Sequence, residues 1–591
     1  MRKPIRFALP VIVAVGFTAS LLYGQNSEPS NAQLSEPASV LKVTTRLVVV
    51  DVVATDRKGN PVTDLQREDF TVAEDGKPQD VRAFSFQNAT KPGEQVAQTT
   101  PHEKPLPVNV VTNVRLAKAG APLAVLLLDG INTRLNNQQY AKQQLLEFLK
   151  KLPADQPVAV YLLGSRLLLI QDFTSDPAVL KAAVQNLKDL RSPLMENASG
   201  GPVKFWFEGV PLPTEIKRRA LEFQQETESS QTDIRMTITL TALNQLARTL
   251  AGYPGRKNLI WVSETFPLNI EANKATGGAS AERTRRNYTM PVANTANLLS
   301  NAQIAVYPVD ARTLVGTDLY NVAARYDERG NVNGGGGGQA SQALDDTANE
   351  LMAARGTMEQ LAENTGGRAF YNRNDLGNAV KEGMADGATY YALGYYPTNK
   401  TQDGRYRKIA VHVTRPGITL RYRPGYFALD PRDYARQSQG HRDAEFSETL
   451  SLDVPISTAL PFTAAVLPAS SSSKNQINVN FAVDAHALSF FETEGGKKRA
   501  AIECAVRVFS IHGSDKPLRT ESDIVDANLP PESYATVMQR GMPCRATLEL
   551  PAGEYLLRLG VRDNNTGTIG TANIQWIVPE ASQENQGKEP K

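Results

Sequence analysis

The feature that most constrains the fold is the apolar run Leu123-Ala124-Val125-Leu126-Leu127-Leu128, which follows Pro122 and stops at Asp129-Gly130-Ile131-Asn132-Thr133. A short, unbroken apolar run closed by a turn signal reads as a central strand buried on both faces, the kind that needs helices above and below its sheet. In open α/β sheets, ligands gather outside the carboxyl ends of such strands. An acid followed by glycine, asparagine and a hydroxyl therefore stands where binding chemistry usually sits, and Asp129 is the first candidate site residue.

The chain downstream keeps to an α/β pattern. Tyr140, Ala141, Leu145, Phe148, Leu149 and Leu152 recur at helical spacing and predict a helix from about Asn137 to Lys151. Val158–Leu163 and Leu167–Ile170 are apolar strands separated only by Gly164-Ser165-Arg166, too short for a parallel crossover, so they must be antiparallel neighbours. Asp176 and Pro177 suit the cap and first turn of a helix carrying Leu180, Ala183, Val184 and Leu187. A helix from Ile238 to Ala251, a strand Leu259–Val262, a helix Val292–Ala302, a strand Ile304–Asp310 and a helix Leu376–Ala385 complete the alternation. It predicts a mostly parallel sheet with helices on both faces.

On either side the periodicity changes. Val43–Ala54, rich in β-branched residues, begins a small β unit over 42–88, and Thr389 onward is again strand-like, with Pro and Gly punctuation, over 387–429. Segments 89–121 and 430–448 read as linkers, and 449–580 as a β-sandwich-like domain. At 591 residues, several cores are expected. The α/β domain accounts for 122–386. Within it, Gly334–Gly338 lacks the Lys-Ser or Lys-Thr of a phosphate-binding loop.

Arg2, Lys3 and Arg6 precede an uncharged stretch from Phe7 to Tyr23 and then Gly24, the layout of a signal peptide over 1–24. An uncleaved anchor is the competing reading. Cleavage would leave no integral membrane span, and the protein is expected to be periplasmic, outer-surface or secreted. Export implies an oxidising compartment, in which Cys504 and Cys544 either pair or remain two buried thiols. With 64 basic and 62 acidic residues, the charge offers no bulk case for a nucleic-acid partner.

Four stretches carry a family resemblance: Leu128-Asp129-Gly130-Ile131-Asn132-Thr133, Pro254-Gly255-Arg256-Lys257-Asn258-Leu259-Ile260-Trp261, Thr365-Gly366-Gly367-Arg368-Ala369-Phe370 and Arg423-Pro424-Gly425-Tyr426. The chain resembles von Willebrand factor A (VWA) domains, and more narrowly the VWFA-related family known mostly from Acidobacteria. The resemblance implies a Rossmann-type sheet, a β extension packed near the N-terminal β unit, and a divalent cation, Mg²⁺ or Mn²⁺, above the central strand. Carried over by position, the ligands are Asp129, Thr133 and Thr237. Ile131 stands where a ligating hydroxyl is expected and Ser263 where the last aspartate is expected, so the metal site is degraded. Glu264, Asn132 or a water would have to substitute. The competing reading makes Asp129 a turn or helix cap and Thr237 a helix-start residue. Arg235 either meets Asp129 in place of a metal or is a surface arginine, and Asp310 either lines the same crevice or forms an Asx turn before Ala311-Arg312.

No His-Glu-x-x-His, nucleophile elbow or clustered histidine motif is present. The expected function is thus non-enzymatic binding of a protein or cell-surface ligand, with adhesion as the model. A hydrolase assembled from distant residues is the alternative. Lys204-Phe205-Trp206-Phe207 is either a recognition patch or a buried plug.

Overall fold

The computed structural model describes residues 47–88, 106–114, 123–150, 152, 156–187, 214–266, 289–312, 352, 355–373, 375–430, 433–468, 475–513 and 516–579. The signal peptide, the Gly334–Gly338 run and the Trp206 cluster fall outside them. At the centre is a five-stranded sheet in the order Ile304–Asp310, Lys257–Ser263, Leu123–Asp129, Val158–Leu163, Leu167–Thr174. The first four strands are parallel, and the last is the antiparallel partner that the three-residue turn demands.

Every residue of Leu123–Asp129, Val158–Leu163, Lys257–Ser263 and Ile304–Asp310 is buried, which explains why these strands read as unbroken apolar runs. Helix Leu135–Leu149 covers one face with Ala141, Leu145, Phe148 and Leu149, joined by Leu376–Ala385. Helix Pro177–Gln185 starts as its sequence requires, with Asp176 Oδ1 accepting from Ala178 N at 2.8 Å. The opposite face is covered by Thr214–Leu250, a single helix of 37 residues whose core side chains include Met236, Leu243, Leu246 and Leu250. The expected Ile238–Ala251 helix is its final third. Among the described residues no helix is long and apolar enough to cross a membrane.

The segments before and after the α/β domain interleave in one split sandwich. Val48–Thr55 pairs with Thr389–Tyr395 and Thr419–Arg421, Val81–Asn88 pairs with Thr389–Tyr395, and Phe70–Glu74 pairs with Tyr406–Val413. Val50, Val52, Phe70, Val72, Tyr391, Leu393 and Val411 share its core. Neither half could bury these faces alone.

Three of the four stretches that carry the resemblance meet where this sandwich abuts the amino ends of the parallel strands. The Arg256 guanidinium donates to Gly366 O at 2.6 Å and Tyr307 Oη at 3.1 Å, and its backbone amide donates to Tyr390 Oη at 2.9 Å. Asn258 Nδ2 donates to the Gly383 and Met384 carbonyls at 3.1 and 3.2 Å, ending the Leu376–Ala385 helix. Arg423 donates to Val49 O at 2.7 Å. At Gly367 a Cβ would lie 2.0 Å from Val306 O, so only glycine permits this approach.

Two stretches expected as linkers carry regular structure. Val110–Thr112, within 89–121, is an edge strand on Phe462–Pro468 of the C-terminal domain. Gln439–Thr449, starting within 430–448 and ending just beyond it, is a helix, with Phe446 buried beside Leu450, Ala505 and Ile569. Its charged face suggested a linker, and the apolar residues that hold it are too few to register as a period. The C-terminal domain is a two-sheet β structure with an apolar core including Phe462, Val479, Phe481, Val506, Leu557 and Leu559. Cys504 and Cys544 form a disulfide between its two sheets.

Candidate functional site

The crevice begins with strand alternation. Trp261 and Ser263 are two residues apart, so both face the long helix, as does Asp129 at the end of the neighbouring strand. Asp129 is only 3% exposed. Its Oδ1 accepts from the Asn132 and Ile131 amides at 2.9 and 3.2 Å. Its Oδ2 accepts from Asn132 Nδ2 at 2.9 Å, Trp261 Nε1 at 3.0 Å and Ser263 Oγ at 3.0 Å. The one hydroxyl proton of Ser263 is shared with Thr265 O at 2.7 Å. Burial pushes the Asp129 carboxyl up, and these neutral donors pull it down.

The other expected ligands are arranged differently. Thr133 is buried, and its Oγ1 accepts from Glu264 N at 3.2 Å. Glu264 turns to the start of helix Leu135–Leu149, accepting from Arg134 N at 2.9 Å and Asn137 Nδ2 at 3.0 Å and pairing with the Arg134 guanidinium at 3.1 Å. Thr237 is a correction: it is exposed, lies inside the long helix and donates to Asp233 O at 2.9 Å. Thr239 faces the crevice instead, accepting from Asn132 Nδ2 at 3.0 Å while wholly buried. The difference is helical phase: two residues along a helix is a turn of about 200°. Arg235 directs hydrogen bonds to Thr265 Oγ1 and Thr232 Oγ1 at 3.5 and 3.4 Å, so the expected pairing with Asp129 gives way to neutral donors around that carboxylate. Asp310 forms the Asx turn, accepting from Arg312 N at 2.9 Å, and binds the same arginine's side chain at 2.7 to 3.2 Å.

As arranged, this donor set does not fit a divalent cation. Both Asp129 oxygens meet N–H or O–H donors where a metal would need bare lone pairs. Ile131 packs into the apolar cluster under the long helix. Beside Asp129 a cleft of about 40 Å³ is lined by Thr133, Gln138, Lys142, Leu162 and Leu187, room for a few waters rather than an organic substrate. Lys142 donates to Leu187 O at its edge.

Sequence reasoning missed Trp261 and Thr239. The signal for the first was available: a tryptophan in a fully buried strand must still satisfy its indole N–H.

No family model matches the chain, and no curated protein matches it. Similar solved structures include an aerotolerance-related membrane protein from Bacteroides fragilis, 11% identical, covering 45% of this chain and 99% of that one at a TM-score of 0.23. BatB from Bacteroides thetaiotaomicron is 12% identical over 45% of this chain and 99% of its own, with a TM-score of 0.21. A von Willebrand factor type A structure from Catenulispora acidiphila is 9% identical over 87% of this chain and 76% of its own, with a TM-score of 0.20. Likeness at this level carries no weight for function.

Proposed function

We propose that this is an exported binding protein that engages a protein or cell-surface ligand at the crevice above Asp129 without a metal ion. The supporting observation is the closed hydrogen-bond shell of Asp129, in which Asn132, Trp261 and Ser263 supply the positive dipoles that a cation would otherwise supply. A partner carboxylate bridged through Mg²⁺ has no role in this reading, and recognition falls to the cleft, where Gln138 and Lys142 are partly exposed. These are donors suited to an acidic or carbonyl-rich surface.

The test is a calorimetric titration of Mg²⁺ and Mn²⁺ into the mature protein and its Asp129→Ala variant, alongside partner capture from envelope extracts with and without chelator. The expected result is no saturable metal binding and chelator-insensitive capture that weakens in Lys142→Glu. Saturable binding that disappears in Asp129→Ala, or capture lost with chelator, would overturn the metal-free reading. Turnover of ester, peptide or glycoside substrates that a crevice substitution abolishes would overturn binding as the function.

A further inference from the structure

At the opposite end of the sheet, where the split sandwich meets the α/β domain, positive charge exceeds negative charge in a confined space. Arg256, Lys257 and Arg423 are each more than nine-tenths buried, at 4%, 1% and 8% exposure. The carboxylate whose field reaches all three is Asp51, and its hydrogen bond is from Gln303 Nε2 at 3.1 Å. Asp386, which also acts on Arg256, is engaged by Arg421. Two buried guanidiniums, beside a lysine whose charge burial disfavours, therefore face one carboxylate that no arginine pairs, an imbalance that is costly in a low-dielectric interior. A void of about 20 Å³ lies beside the two guanidiniums, lined by Asp51, Arg256, Ser300, Gln303, Thr365 and Arg423. Arg256 and Arg423 both contribute to its lining, and the Nε–H of each is buried without a protein acceptor.

We propose that this void binds one monovalent anion of chloride size between the Arg256 and Arg423 guanidiniums. The volume suits a single small occupant. Such an anion accepts from donors that the protein leaves unpaired and brings the buried charge closer to neutrality. Asp51 lines the same void, and Gln303 gives that carboxylate a hydrogen-bond partner of its own. Because Arg256, Gly366 and Arg423 belong to three different stretches that meet here, the anion ties the sandwich to the α/β domain.

The test compares thermal unfolding of the full mature chain in sodium chloride and in sodium gluconate at equal ionic strength, and locates bromide by anomalous scattering in bromide-soaked crystals. The expected result is a saturable rise in Tm with chloride and not gluconate, and a bromide peak between Arg256 and Arg423. Arg423→Gln should abolish the saturable rise. Asp51→Asn, which removes the repelling charge, should lower the half-saturating chloride concentration by roughly tenfold or more. Equal Tm in the two salts, or a crystal with water alone in the void, overturns the proposal. So does an Asp51→Asn protein that binds chloride more weakly, which would mark a water-bridged aspartate–arginine cluster. Should Arg423→Gln not fold, the bromide crystal and Asp51→Asn still decide.

Discussion

Asp129 and Asp51 lie near the two ends of one strand: Ser263, at its carboxyl end, bonds Asp129, while Lys257, at its start, faces Asp51. Burial raises both carboxyls. Their surroundings differ in kind. Asp129 is held by short hydrogen bonds from neutral groups of its own turn and the adjacent strand. Asp51 has one hydrogen bond from Gln303 and otherwise feels the charges of Arg256, Arg423 and Lys257. The contrast teaches that dipoles satisfy a buried carboxylate locally, whereas charges do so at longer range and bind neighbouring elements into the account.

The sharpest way to break this comparison is to remove the carboxylate with the most direct partners. Asp129→Ala leaves the Trp261 and Asn132 donors and two backbone amides without an acceptor, and should cost about 4 kcal/mol of stability by urea denaturation. A cost below about 1 kcal/mol would show that the shell is loose.

The charged end should respond to pH instead. Burial lowers the Lys257 ammonium from 10.5 to about 7. Its folded value lies below its unfolded one, so between about 7 and 10.5 the unfolded chain holds the extra proton and this group makes stability rise with pH. Asp51 and Asp129, raised on folding, act in the opposite sense: what they contribute is lost as pH rises through their folded values. Lys257→Met should therefore flatten the stability gain between pH 7 and 9, a difference of about 2 kcal/mol. An unchanged slope would mean that Lys257 titrates normally.

Smaller effects separate the two threonines of the long helix. Thr239→Val removes an acceptor from buried Asn132 and should cost about 1 kcal/mol. Thr237→Ala, at an exposed position bonded only to its own helix, should change stability by about 0.5 kcal/mol or less. Reversal of that order would return Thr237 to the crevice.

Much of the α/β domain was legible because apolar periodicity is a local property. The Leu123–Asp129 strand, the antiparallel turn at Gly164–Arg166, the Asp176 cap and the Leu376–Ala385 helix all follow from neighbours within a few residues. At the crevice, Asp129 was identifiable by its position after a buried strand. Its partners were not, since Thr237 and Thr239 differ only in helical phase, and phase depends on which face the helix turns to the sheet. The seam left traces: Asp51 interrupts a run of valines, and Arg256-Lys257 opens a strand with two cations.

Local elements and their apolar faces are thus properties of the chain itself, since hydrophobic burial is nondirectional and needs only the right period. Tertiary structure alone decided which sandwich halves interleave, that Val110–Thr112 joins a domain some 350 residues away, and which donors close around Asp129. Hydrogen bonds and buried charges require particular atoms within about 3 Å, and residues far apart in sequence reach that distance only when the whole fold has brought them there.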